Sequence, residues 1–275
     1  MKWREKITFG MLIVSMLFST AVLGSNLWMQ EKEQIKFVIL RNRISAERER
    51  ISATAEVKRT GDKMMKSLNG EERTVLPEYQ ELAEINPDFV GWIFIDGTNI
   101  DYPVMQTQDD PEFYLRRNFQ KEHATAGVPF MDASSDIFVP TSNFLIYGHN
   151  MKNGTMFHDM LKYKDKSFYQ EHKTFRFDTI YKGGQGTYEI IAAGYSKIYP
   201  EDSDAFKYYQ YAGITSRSDF NEYLKGVKEL SEYNTGVSAE YGDQLVTLST
   251  CAYHEKNGRF FIVGKRTDAK QVKPQ

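Results

Sequence analysis

Short β-rich segments separated by turns make up most of the chain beyond Leu76, and this pattern limits the fold more than any other feature. Val, Ile, Phe and Tyr recur in these segments, and such residues favour strands. Helical periodicity is scarce in the same region. Eight β segments with few helices predict a mainly β fold with added helices, either a barrel or a sandwich. The predicted strands are 90–95, 100–105, 128–131, 144–147, 174–177, 188–199, 245–250 and 260–263.

Two helices interrupt the predicted strands. The segment 156–163 is a short one, and the segment 220–230 carries one apolar stripe behind Ser216 or Ser218 as N-cap. The second helix lies between the strand 188–199 and the strand that leads to Cys251. We therefore expect it to form one wall of a groove beside that cysteine. The stripe consists of Phe220, Tyr223, Leu224, Val227 and Leu230.

The N-terminal segment has the pattern of a membrane anchor. Residues 7–29 carry no charge, and Lys2, Arg4 and Lys6 precede them. About 20 apolar residues span a bilayer, and basic residues stay on the cytoplasmic side. We expect a cytoplasmic end (1–6), a transmembrane signal-anchor (7–29) and an extracellular remainder. A cleaved signal peptide is the alternative, favoured by the small residues Ala21, Gly24 and Ser25.

Three further regions follow the predicted anchor. Residues 30–75 are rich in Glu, Lys and Arg and predict a charged helical stem. Residues 76–267 hold the predicted strands and form the expected main globular domain, and 268–275 form a C-terminal tail.

Composition and the absence of certain motifs argue against several classes of function. The net charge of −2 argues against nucleic acid as a partner. A single cysteine excludes an internal disulfide, and the dispersed histidines show no metal-ligand spacing. The chain has no phosphate-binding loop and no dinucleotide fingerprint. We therefore expect no metal and no cofactor.

The only cysteine, Cys251, lies at the end of a predicted strand, where a substrate can reach it. A thiol needs a base or a positive field to become a nucleophile. His149 also follows a predicted strand, and Gly148 and Asn150 on either side of it favour a sharp backbone. Arg259 returns on the next strand, and a guanidinium can stabilise an oxyanion.

Each of these residues also has a structural interpretation. Cys251 could be a small buried apolar residue, and His149 a hydrogen-bonded strand end. Arg259 could form an exposed ion pair. Three of the other histidines, His123, His158 and His172, are interpreted as loop or surface residues, and His254 is expected to point away from the thiol.

Two motifs add a resemblance to a known family. The sequence Thr-Leu-Ser-Thr-Cys at 247–251 followed by Arg259, together with Tyr-Gly-His-Asn-Met at 147–151, resembles the signature of sortases, class B in particular. Residues 86–93 and 97–106 are similar to early strands of the family. The resemblance covers roughly 76–266.

The resemblance implies an eight-stranded sortase-type β-barrel and a membrane-anchored cysteine transpeptidase of Gram-positive cell walls. His149, Cys251 and Arg259 then match the catalytic residues, and Ser249 and Thr250 the substrate contacts. Cys251 would cleave a C-terminal sorting signal of a secreted protein after Thr, forming a thioacyl intermediate. An amine of a peptidoglycan cross-bridge or stem peptide, or a pilin lysine, would then release the protein.

Departures and alternatives stay open. The segment between Cys251 and Arg259 is shorter than in some class B enzymes, which leaves Arg266 as a second candidate for the arginine. Asp109-Asp110-Pro111 occupies a region where some relatives contact the start of the signal. A cysteine endopeptidase would use the same thiol with water, and a non-catalytic bitopic envelope scaffold would need no thiol.

Overall fold

The computed structural model describes residues 3–54, 64–66, 72–138 and 141–267. Contacts divide the chain into two compact units, Met1–Arg43 and Ile44–Gln275. The predicted C-terminal tail lies outside the described residues.

The first unit contains most of helix α1 (Trp3–Thr54). Large apolar side chains along it are exposed, among them Met11, Leu12, Met16, Leu17 and Phe18. Within the described part of the chain, no helix has a stretch both long and apolar enough to cross a bilayer. Several side chains of the predicted span 7–29, including those of residues 7–10, lie outside the described set. The anchor therefore stays a prediction.

Within the predicted stem of 30–75, α1 covers the residues up to Thr54, and 55–63 lie outside the described residues. Farther along, β1 (Met64–Lys66) and β2 (Glu72–Thr74) pair as antiparallel strands. The last turns of α1 belong to the second unit, where Arg48 donates to Tyr79 Oη at 2.9 Å and to Asp178 Oδ2 at 3.1 Å. Asp178 is only 3% exposed, so these bonds satisfy a buried carboxylate.

Eight further strands of the second unit form a closed barrel, which confirms the fold that the resemblance implies and decides between the barrel and the sandwich that the strand pattern left open. The spatial order is β10-β8-β7-β3-β4-β5-β6-β9, and β9 pairs with β10 to close it. Two pairs, β4 with β5 and β6 with β9, are parallel, and the others are antiparallel. The strands are β3 (Phe89–Phe94), β4 (Asp101–Met105), β5 (Phe130–Met131), β6 (Asn143–Tyr147), β7 (Thr174–Thr179), β8 (Gln185–Lys197), β9 (Leu245–Cys251) and β10 (Gly258–Arg266).

Strand β9 is buried on both faces. Its alternation of apolar and hydroxylated side chains suggests one wet face, but every residue from Leu245 to Thr250 is buried. The hydroxylated face is covered by tyrosines: Tyr223 Oη bonds Thr247 Oγ1, and Tyr208 Oη bonds Ser249 Oγ at 2.6 Å. The strand that carries Cys251 is therefore held between two packed layers.

The helices lie around the barrel. They are α2 (Pro77–Ile85), α3 (Lys166–Glu171), α4 (Arg217–Glu229) and the 3-10 segments Phe113–Arg116, His158–Lys164 and Tyr208–Gln210. In α4 the N-cap is Ser216, whose side chain accepts from the Asp219 backbone N–H at 3.0 Å. Phe220, Tyr223 and Val227 are fully buried, which confirms the predicted stripe.

Candidate active site

The register of the barrel brings the ends of three strands together. In the parallel pair β6 and β9, partner residues differ by a constant 102 positions, as in Tyr147 with Ser249. The same offset applies where Thr250 Oγ1 donates to Gly148 O at 2.7 Å. One residue farther along each segment are His149 and Cys251, which both line the same cleft. On the other side of β9, Arg259 is the direct cross-strand partner of Cys251.

These strand ends border a cleft of about 450 Å³. His149, Cys251 and Arg259 all line it, and Cys251 is a free, partly exposed thiol. Ile198 and Tyr209 line it from the segments that follow β8, and Leu115 and Glu112 from the region before β5. No residue of α4 contributes, so the groove wall predicted for that helix is wrong. Because α4 buries its apolar stripe against the barrel, the segment before it faces the cleft instead.

His149 is held by contacts on both its backbone and its ring. Its carbonyl accepts from the Phe157 backbone N–H at 2.8 Å, and Nε2 lies 2.9 Å from Leu115 O. Since a carbonyl only accepts, Nε2 carries the proton and Nδ1 is the basic nitrogen of the neutral ring. Burial lowers the pKa of His149 below its ordinary 6.5, the bond to Leu115 raises it, and the charge of Arg116 lowers it. The net shift is downward, which favours neutral imidazole at pH 7.

Gly148 is needed for close packing rather than for an unusual backbone angle. Neither Gly148 nor Asn150 has a positive φ, so neither residue uses the left-handed backbone that glycine and asparagine permit. A Cβ on Gly148 would lie 2.6 Å from the ring of Phe157, a side chain that is fully buried. The absence of a side chain at Gly148 lets the loop after β6 pack against Phe157, whose backbone N–H holds the His149 carbonyl.

Arg259 places a positive charge at the same end of the barrel. Its Nη1 donates to Gly258 O at 3.0 Å. Its charge acts on Tyr147, which lines the cleft, and on Tyr208, which bonds Ser249. Burial raises the pKa of both tyrosines, and the charge of Arg259 partly opposes the rise. A cation beside a thiol can stabilise negative charge that develops on a substrate carbonyl.

Of the other residues predicted for the site, two line the cleft and one lies far from it. Ser249 and Thr250 line the cleft, but both are buried and their hydroxyls bond Tyr208 and Gly148 O. Arg266 lies at the far end of β10, opposite Tyr188, and its guanidinium donates to Gly183 O at 3.0 Å. Seven strand residues correspond to roughly 20 Å, so the barrel does not bring Arg266 to Cys251.

Two of the histidines interpreted as surface or loop residues are packed. His158 Nδ1 lies 2.8 Å from Asn150 Oδ1, and the ring of His172 stacks against Phe168 with centroids 4.3 Å apart. His254 contacts Glu255 at 3.3 Å and is not among the cleft-lining residues.

Sequence reasoning missed some residues around the thiol. Asn150 Nδ2 donates to the Cys251 carbonyl at 2.9 Å, a contact that neither its backbone nor its place in the motif around His149 predicts. Tyr147 Oη donates to Asp132 Oδ2 at 3.2 Å inside the cleft. The available signal was the position of both residues within two places of His149. In the described part of the chain, no group of three His, Cys, Asp or Glu side chains could hold a metal ion.

Comparison with known proteins gives consistent matches. A family model described as the sortase domain matches residues 93–267. Sortase B of Listeria monocytogenes is 38% identical over 208 residues, covering 75% of this chain and 79% of the relative. Sortase B of Staphylococcus aureus is 33% identical over 193 residues, covering 70% and 75%. A solved Staphylococcus aureus sortase B-substrate complex superposes with a TM-score of 0.69 at 27% identity, over 88% of this chain and 99% of that one.

Proposed function

The chain belongs to the sortase family and is a class B cysteine transpeptidase, and we propose that it cleaves a C-terminal sorting signal after Thr and joins the protein to an amine. The accepting amine belongs to a peptidoglycan cross-bridge or stem peptide, or to a pilin lysine. One observation carries this proposal. His149, Cys251 and Arg259, which lie on three adjacent strand ends, line a single cleft.

The first half of the reaction forms a thioacyl enzyme. As Cys251 Sγ attacks the carbonyl carbon of the Thr, its proton moves to Nδ1 of neutral His149. The imidazolium then protonates the leaving amine as the peptide bond breaks. The hydrogen bond from Nε2 to Leu115 O persists through both steps and supports the transient positive charge.

The second half releases the protein. An incoming amine attacks the thioester and loses a proton to His149, and the Cys251 thiolate leaves and is reprotonated. Arg259 stabilises the oxyanion in both tetrahedral intermediates. Removal of one oxyanion donor typically costs about a hundred- to thousandfold in kcat, and we expect Arg259→Ala to lose activity on that scale.

The test uses the full-length chain in detergent, a peptide with an Asn-Pro-x-Thr or Ser/Pro-Pro-x-Thr signal, and triglycine as the amine. Mass spectrometry of the products is expected to show cleavage after Thr and an amine-joined product, both lost in Cys251→Ala. Free acid alone would favour an endopeptidase. Equal behaviour of Cys251→Ala and wild type would favour a scaffold and refute the proposal.

The membrane topology is a separate part of the proposal. Residues 7–29 anchor the chain with the N-terminus in the cytoplasm, so the catalytic domain meets secreted substrates and wall amines outside. The uncharged segment behind three basic residues supports this arrangement. A reporter fused after Gln275 is expected to behave as extracellular, and a cytoplasmic signal would contradict the topology.

A further inference from the structure

The main-chain ladder between β6 and β9 stops before it reaches the reacting side chains. Among the described residues, its last hydrogen bond joins Gly148 N to Ser249 O at 3.1 Å. The side chain of Thr250 adds one bond to Gly148 O. Beyond that point, backbone pairing no longer sets the separation of His149 and Cys251.

The side chain of Asn150 continues the connection. It is 8% exposed, and its Nδ2 donates to Cys251 O at 2.9 Å. Because Asn150 directly follows His149, this bond links the two strand ends across the gap where the ladder has stopped. It acts as a side-chain replacement for the missing rung.

The orientation of that amide depends on His158. The Cys251 carbonyl only accepts, so the NH₂ of Asn150 must face it, and Oδ1 then faces His158 Nδ1 at 2.8 Å. His158 must therefore donate from Nδ1. If this donor is lost, Asn150 Oδ1 loses its hydrogen bond, and only the Cys251 carbonyl still holds the amide in place.

His158 itself stands on a fixed support. It begins the 3-10 segment His158–Lys164, in which Met160 and Tyr163 are fully buried. The residue before it, Phe157, bonds the His149 carbonyl, and Asn150 forms a β-bridge with Met156. The two ends of the loop that follows His149 are thus bonded to each other, at 149–150 and 156–157.

We propose that Asn150 and His158 are positioning residues that set the distance between the base and the nucleophile. Neither touches the reacting atoms. The inference rests on the proposed roles of His149 and Cys251. Displacement of a catalytic group by about 1 Å can cost about a hundredfold in rate, so loss of this link should act on kcat.

A matched pair of variants separates the donor from the shape. In His158→Asn the side-chain NH₂ can occupy the position of Nδ1, whereas His158→Leu has nearly the same shape as Asn without a donor. With a cleavable signal peptide, we expect His158→Leu to lose about tenfold in kcat and Asn150→Ala about ten- to a hundredfold. We expect His158→Asn to recover most of that loss. KM should stay within about twofold throughout, because no substrate contact is removed.

A second measurement needs no sorting signal. The rate of Cys251 alkylation by iodoacetamide is followed against pH in the full-length chain, with His149→Ala as the reference for an uncoupled thiol. We expect the alkylation rate in His158→Leu to move toward that of the reference, because a base displaced from the thiol removes its proton less readily. The rate in His158→Asn should stay near that of wild type.

Different results overturn the two proposals. A wild-type chain that alkylates normally but never forms an amine-joined product would refute the proposed function. Equal alkylation profiles and equal kcat in His158→Leu and His158→Asn would refute the positioning role. A loss confined to KM would assign the bond to substrate binding, and a loss matched by a fall in Tm between the two variants would assign it to folding; either result would refute the positioning role.

Discussion

Thr247 lies at the centre of a buried hydrogen-bond chain under the cysteine strand. Its hydroxyl donates to Asn143 Oδ1 at 2.8 Å, so it accepts from Tyr223 Oη, and Asn143 Nδ2 donates to Tyr211 O at 3.0 Å. The side chains of Thr247, Asn143 and Tyr223 are all fully buried. A change of shape is therefore not needed to disturb the site, since removal of one hydroxyl leaves two groups without partners.

Thr247→Val makes that change almost isosterically. It leaves the Tyr223 hydroxyl without an acceptor and Asn143 Oδ1 without its donor. Each unsatisfied buried group costs about 1–3 kcal/mol, so two such groups should lower the free energy of unfolding by about 2–6 kcal/mol. In a domain of this size each kcal/mol corresponds to about 2–4 °C, which predicts a fall in Tm of roughly 4–24 °C.

Urea and thermal unfolding of the full-length chain measure the effect. Tyr223→Phe alone should cost about 1 kcal/mol. The double variant should be more stable than the sum of the two single changes predicts, because the tyrosine hydroxyl that Thr247→Val leaves unpaired is then absent. Thr174→Val, on an exposed position of β7, is the control and should stay within about 0.5 kcal/mol of wild type. A cost below about 0.5 kcal/mol for Thr247→Val, or strict additivity, would refute the reasoning.

Three further predictions concern the same end of the barrel. The lowered pKa of His149 places the acid limb of kcat/KM for signal cleavage below pH 6.5, and a limb above pH 6.5 would contradict the burial argument. Any stability linked to the lowered pKa of His149 is present above pH 6.5 and is lost as the pH falls. Gly148→Ala should lower both Tm and kcat, because the Cβ of the new alanine would clash with the ring of Phe157 at a cost of about 1–3 kcal/mol. Unchanged Tm and kcat would show that the Phe157 ring can move. Ser196→Ala should leave the free energy of unfolding in urea unchanged or raise it, because the buried Ser196 hydroxyl has no hydrogen-bond partner among the described residues. A fall of more than about 1 kcal/mol in this free energy would show that the hydroxyl has a partner.

The strands and the two motif residues at their ends could be read from local sequence. Strand propensity and turn residues are properties of neighbouring positions, so the predicted segments coincide with β3 to β10 within a few residues. Cys251 and His149 were placed at strand ends for the same reason. The helix α4 and its cap also followed from periodicity within one segment.

Local sequence could not predict which strands become neighbours. Cys251 and His149 line one cleft because β6 and β9 pair in parallel across about a hundred residues of chain, and no periodicity encodes that pairing. The same holds for Arg48, which bonds Asp178 from 130 positions away and so extends the second unit into the predicted stem.

By itself the sequence determined that the chain is mainly β and that a thiol, an imidazole and a guanidinium stand at strand ends. Only the tertiary structure decided that these ends share one cleft and that tyrosines cover the hydroxylated face of β9. It also decided that Asn150 and His158 link the loop after β6 to the cysteine. The reason is physical: propensity and periodicity act over a few residues, whereas burial and hydrogen-bond satisfaction are settled between segments far apart in the chain.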